Sequence, residues 1–135
     1  MFCLDTNAVI FAINRRRPAV AARLEAELTA GTPIRLPAIV LFELAYGIAR
    51  SDRPERSAAL LAEFLSAGIG VLAFETDDAH HAGDIRAHLA GQGTPIGQYD
   101  LLIAAQARRH GATLVTANGR EFQRVPGLVW EDWGE

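Results

Sequence analysis

A chain of 135 residues, half of them apolar and about a fifth charged, has the length of one domain and can bury a core without staples. A net charge of −3 argues against a generally basic nucleic-acid binder, and thirteen arginines with no lysine exclude a lysine nucleophile or Schiff base. The single cysteine, Cys3, cannot form an internal disulfide, none of the three serines (Ser51, Ser57, Ser66) lies in a Gly-x-Ser-x-Gly elbow, and no apolar run reaches membrane-span length.

Residues 1–5 read as a short buried strand, with Cys3 a small apolar side chain inside it. They run straight into the strand with no basic leader, so no signal peptide and a reducing cytoplasmic setting are expected. Asp5 or Thr6 can cap the helix that follows, whose apolar residues are Ala8, Val9, Phe11, Ala12 and Ile13. Arg15-Arg16-Arg17-Pro18 breaks it. Pro18 suits the first turn of a helix over 18–30, with Val20, Leu24 and Leu28 on one stripe and Gly31 as its stop. Ile34-Arg35-Leu36 is a second strand closed by Pro37. Helical spacing then runs over about 38–50 (Ile39, Phe42, Tyr46, Ala49) and over 54–67 (Leu60, Leu61, Phe64, Leu65).

A third strand falls within Gly68 to Phe74. Thr76 or Asp77 caps a helix reaching about Leu89, and Gly91, Gly93 and Pro95 form a loop. Helix 98–110 carries Leu101, Leu102, Ala105 and Ala107 and stops at Gly111. Ala112 to Thr116 is a fourth strand, Asn118-Gly119 a turn, and Leu128-Val129-Trp130 a fifth, edge strand. Strands alternating with helices imply a three-layer α/β sandwich around a central, mostly parallel sheet of four or five strands.

Four acids punctuate the apolar runs. Asp5 ends the first strand, Glu43 lies in Phe-Glu-Leu-Ala-Tyr-Gly, Asp100 opens its helix after Pro-Ile-Gly-Gln-Tyr, and Glu121 follows the fourth strand. Open parallel sheets place their sites at the carboxyl ends of strands, which suits Asp5 and the Thr116–Glu121 segment directly. Glu43 and Asp100 reach that edge only if their helices pack there. Clustered carboxylates stay ionised together only beside a cation, and an all-oxygen set suits Mg²⁺ or Mn²⁺ and hence phosphoryl chemistry.

Each acid also has a plainer reading. Asp5 can be an N-cap, although Thr6 could cap instead and leave Asp5 to a metal. Asp100 sits where the helix dipole favours an anion. Glu121 can be solvated and Asn118 a turn residue, or both can touch a second metal or its waters. Thr116 can orient a carboxylate or a water, and Thr6 and Asn7 stand beside Asp5 as supporting candidates. His80 and His81 with Asp77 and Asp84 share helical spacing, which an exposed capped helix explains better than a metal face. Arg15, Arg16, Arg17, Arg86, Arg108, Arg109, Arg120 and Arg124 are the cations available to an electrostatic track for phosphates. Trp130 and Trp133 read as packing residues.

In this order and spacing the motifs Met-Phe-Cys-Leu-Asp-Thr-Asn, Phe-Glu-Leu-Ala-Tyr-Gly, Pro-Ile-Gly-Gln-Tyr-Asp-Leu-Leu-Ile-Ala-Ala and Val-Thr-Ala-Asn-Gly-Arg-Glu-Phe resemble those of PIN-domain ribonucleases, specifically the VapC toxins of VapBC toxin–antitoxin systems. The likeness runs over essentially the whole chain. It implies that Asp5, Glu43 and Asp100 form an acidic metal site for Mg²⁺, with Mn²⁺ an alternative. It also implies a homodimer and a cognate VapB antitoxin, whose tail lies in a groove and sends an arginine toward the acids. DNA would be met only through that antitoxin. The implied substrate is structured RNA, commonly tRNA.

One departure stands out: many PIN domains carry an aspartate where this chain has Asn118, so either a second metal is weakly held or Glu121 supplies the fourth carboxylate. The expected chemistry is metal-dependent phosphodiester hydrolysis, with Asp5 and Asp100 as ligands and Glu43 as third ligand or water-orienting base. It would leave 5′-phosphate and 3′-hydroxyl ends. A phosphatase or dehalogenase using Asp5 as nucleophile is a rival, although Asn7 stands where such enzymes carry a second aspartate. A binding module that has lost catalysis is the other.

Overall fold

The computed structural model describes residues 1–134. Five short strands form one sheet, in chain order β1 (Phe2–Leu4), β2 (Ile34–Pro37), β3 (Gly70–Leu72), β4 (Thr113–Val115) and β5 (Val129–Glu131). The helices are α1 (Thr6–Asn14), α2 (Pro18–Thr29), α3 (Ala38–Ala49), α4 (Pro54–Leu65), α5 (Thr76–Gly91), α6 (Gln98–Arg109) and α7 (Gly119–Phe122). Every strand pair is parallel and the spatial order is β3-β2-β1-β4-β5. The expected fifth strand is therefore present, at the edge, with Thr113 opposite Val129 and Val115 opposite Glu131.

Parallel strands buried on both faces read as continuous apolar runs, and the central strands do: Cys3, Leu4, Ile34, Leu36, Leu114 and Val115 are all shielded from solvent. Burial pushes the Cys3 thiol up to about 12, which keeps it protonated and inert. Helices α1 to α4 pack among themselves and α5 packs along α6. Right-handed crossovers send these two groups to opposite faces of the sheet, giving the three layers. Helix α6 is the most enclosed, with Leu101, Ile103, Ala104, Ala105, Gln106 and Ala107 all buried. The Gln106 amide donates to the carbonyls of Leu72 (3.0 Å) and Ala73 (3.3 Å), tying α6 to the end of β3.

Two local expectations are corrected. Neither Thr76 nor Asp77 caps α5: Glu75 does, in a capping box whose other half is Asp78. The reason is tertiary. Asp78 is fully buried and accepts from Arg109 of α6 through both carboxylate oxygens (2.8 and 3.1 Å). Burial pushes the Asp78 carboxyl up, but the Arg109 hydrogen bonds and charge and the Glu75 backbone N–H outweigh it, and the carboxyl lies below its ordinary value.

Asn118-Gly119 is not a turn between strands but the start of α7. Gly119 is there for space: a Cβ would fall 2.1 Å from Cη2 of Trp130. On α5, His80, Asp77 and Asp84 are exposed as expected, and His81 is half-buried. His81 Nδ1 accepts from Arg108 Nε at 3.0 Å, and Arg108 also reaches Asp84 (2.9 Å) and the Pro126 carbonyl (3.0 Å), pinning α5 to α6. The tryptophans pack as expected. Trp133 is buried edge-on to Phe2 with ring centres 5.1 Å apart, and Trp130 covers Gly119.

Candidate active site

The strand order places a switch point between β1 and β4. From β1 the chain crosses to β2 and β3; from β4 it moves the other way, to β5. Open α/β sheets bind ligands in a crevice beyond the carboxyl ends of two such neighbours. Asp5 and Thr116 are the first residues past those ends. The Asp5 N–H donates to the Val115 carbonyl at 3.1 Å and the Thr116 N–H to Glu131 at 2.9 Å, so the ladder fixes both.

Asp5 is buried and does cap α1: its Oδ1 accepts from the Ala8 N–H at 2.8 Å. Thr6 is not the cap. Its hydroxyl crosses to α3 and donates to Glu43 Oε1 at 2.7 Å, joining two of the expected site residues across 37 positions of sequence. Glu43 reaches the edge because α3 starts directly on Pro37, the last residue of β2, with no linker to carry it away. Asn7 points to solvent.

Asp100 lies in the first turn of α6, and its Oδ2 would be 3.3 Å from a Cβ on Gly97; the glycine leaves the carboxylate its place. Asn118 Nδ2 donates to Glu121 Oε2 at 2.8 Å, and the Asn118 N–H donates to Thr116 Oγ1 at 2.9 Å.

The charges of these acids bear on one another. Burial, then the charges of Glu43, Glu121 and Asp5, push the Asp100 carboxyl from 3.8 up to about 6. Asp5 is also pushed above its ordinary value, by burial and by Glu43 and Asp132, against the pull of its bonds from Thr116 and Ala8. The set is all oxygen, which fits a hard divalent cation. The side chains do not yet form a ligand cage: among the described residues, no three acidic, histidine or cysteine side chains are grouped to hold one ion. Asp5, Glu43 and Glu121 each accept from a neutral donor, on Ala8, Thr6 and Asn118 respectively.

Asp132 was missed in the sequence. It stands one residue past β5 and bears on Asp5, the same strand-end signal that singled out Asp5 itself. The arginine candidates divide. Arg108 and Arg109 are spent on α5, Arg15 pairs with Glu25, Arg17 lies over the Phe11 ring, and Arg124 reaches the Pro95 carbonyl. Arg16, Arg86 and Arg120 are exposed.

Beside the acids runs an apolar groove of about 310 Å³ between α1, α3 and α4. Ile10, Ile13, Leu44, Ile48 and Leu60 line it, and Thr6 and Glu43 border it.

The family model described as the PIN domain matches residues 2–128. Over 132 residues, covering 98% of this chain and 97% of the relative, the sequence is 44% identical to the tRNA(fMet)-specific endonuclease VapC of Shigella flexneri. The crystal structure of DNA-bound VapBC from Salmonella typhimurium superposes with a TM-score of 0.89 at 42% identity, covering 98% of this chain and 97% of that one. That of VapBC2 from Rickettsia felis, bound to a DNA fragment from their promoter, does so with a TM-score of 0.91 at 36% identity, covering 98% of both chains.

Proposed function

We infer, from the premise that this chain belongs to the PIN-domain family and matches its VapC ribonucleases along nearly its whole length, that it is the endoribonuclease toxin of a toxin–antitoxin pair. Its work is to hydrolyse phosphodiester bonds of structured RNA in the cytoplasm and so to stop translation. Relatives named for tRNA make tRNA the first substrate to try.

Asp5, Glu43 and Asp100 would hold a divalent cation, Mg²⁺ or Mn²⁺, with Glu121 as the fourth carboxylate. When bound, such an ion supplies neutralisation of the scissile phosphate and acidification of a water. The rest falls to the chain. The Ala8 N–H orients Asp5, and Thr6 holds Glu43 by one oxygen, which leaves the other to steer a water for in-line attack. Asp100 must lose its proton to act, and with its carboxyl near 6 it does so below neutrality. The charges of Glu43, Glu121 and Asp5 bearing on Asp100, beside the Thr6–Glu43 and Asn118–Glu121 hydrogen bonds, support this chemistry most strongly.

Partners follow from the same membership. Three of the solved relatives are VapBC complexes, two of these with DNA bound, so a cognate VapB antitoxin is the expected partner and DNA is met through it. The apolar groove that ends at Thr6 and Glu43 suits an antitoxin segment, since an occupant would lie alongside the acids. A homodimer is the expected assembly. The test is metal-titrated cleavage of total cellular RNA with mapping of the cut ends. Wild type should give discrete cuts with 5′-phosphates that EDTA abolishes, and Asp100→Ala none; cleavage that survives EDTA or Asp100→Ala overturns the reading.

A further inference from the structure

We propose that Asn118 is a positioning residue for this reaction, its side-chain amide holding the Glu121 carboxylate at the acid crevice. The proposal rests on the reading of that crevice as a divalent-cation site.

Asn118 occupies the N-cap position of α7, where an asparagine ordinarily spends its side-chain oxygen on the first turn of the helix. Here it makes no capping bond. Its Nδ2 donates instead to Glu121 Oε2 at 2.8 Å, while its backbone N–H donates to Thr116 Oγ1 at 2.9 Å. Thr116 in turn bears on Asp5, pulling its carboxyl down. One residue thus touches both Glu121 and Thr116, the strand-end neighbour of Asp5.

The platform beneath is rigid. Phe122 is buried at 1% exposure, Gly119 is covered by the Trp130 ring, and the Thr116 N–H is bonded to β5. The chemistry of the amide matters as much as its place. An aspartate at 118 would set a second negative charge against Glu121, whereas a neutral N–H donor draws Glu121 in and engages Oε2 alone. A side chain that orients a ligating carboxylate in this way typically carries about 10- to 100-fold of metal affinity or activity.

The experiment is a double-mutant cycle on the full-length chain, read by Mn²⁺ affinity from the electron paramagnetic resonance of unbound Mn²⁺, together with kcat on RNA and the thermal midpoint. Asn118→Ala keeps the backbone bond to Thr116 and should leave the midpoint unchanged. It should weaken Mn²⁺ binding and lower kcat, each about 10-fold. In a Glu121→Ala background the same change should have no further effect on either. A loss of equal size in both backgrounds, or a lowered midpoint with Mn²⁺ affinity intact, overturns the proposal. Asp100→Asn separates it from the reading it rests on. If Asp100→Asn weakens Mn²⁺ binding while Asn118→Ala binds as wild type, the positioning role alone fails. If Asp100→Asn binds as wild type, the cation site fails and Asn118's role with it.

Discussion

At the scale of single residues, the acids serve two demands, and the demands come apart under mutation. Asp5 caps α1 with one oxygen and bears negative charge on the crevice with the whole carboxylate. Asparagine caps as well as aspartate but carries no charge. Asp5→Asn is therefore expected to fold with an unchanged or slightly higher metal-free melting midpoint and to lose RNA cleavage, which circular dichroism and a cleavage assay will separate.

Asp100 makes a prediction about pH. Its folded value of about 6 exceeds the 3.8 of an exposed carboxyl, so between these values the folded chain holds a proton that the unfolded chain has released. Its contribution to metal-free stability is thus greatest in acid and falls as pH rises from about 4 through 6. Asp100→Asn should flatten that fall and raise the midpoint at pH 7 in EDTA; Mg²⁺ should raise the wild-type midpoint at pH 7 and barely move the variant's. Melting curves between pH 4 and 8, with and without Mg²⁺, check both.

At the scale of elements, helix and strand positions were legible because apolar periodicity and breakers are local. Pro18, Pro37 and Gly111 mark boundaries that the structure keeps within a residue or so. What escaped was decided by a neighbour distant in sequence. The α5 cap moved to Glu75 because Asp78 is held by Arg109, and Thr6 was drawn from capping to Glu43. Asn118-Gly119 signalled a turn, but the glycine is required by the indole above it. Gly119→Ala should cost about 1–3 kcal/mol by overpacking and displace α7. Chemical denaturation would read the loss of stability, and cleavage should fall with it through Glu121. A variant as stable as wild type would show that Trp130 simply moves aside.

At the scale of the whole molecule, the order β3-β2-β1-β4-β5 makes the crevice. The chain leaves β1 and β4 in opposite directions, and α3 and α6 bring Glu43 and Asp100 toward their carboxyl ends. The apolar groove beside Glu43 is a separate surface with a separate expected role. Leu60 lines it and is 41% exposed, so Leu60→Arg should fold normally and cut RNA as wild type does. It should weaken capture of the cognate antitoxin, and co-expression of the pair would then fail to relieve the growth arrest that the toxin causes. Unimpaired capture would place the antitoxin elsewhere.

The sequence by itself determined the element order, the parallel α/β class and where along the chain the four acids fall, because apolar runs, breakers and residue types are written locally along the chain. Only the tertiary structure decided that Thr6 serves Glu43, that Asn118 serves Glu121, that Asp132 joins the edge and that Arg108 and Arg109 are spent within the fold. Hydrogen bonds and charge interactions act over a few ångströms of space, and only folding sets which residues lie that close.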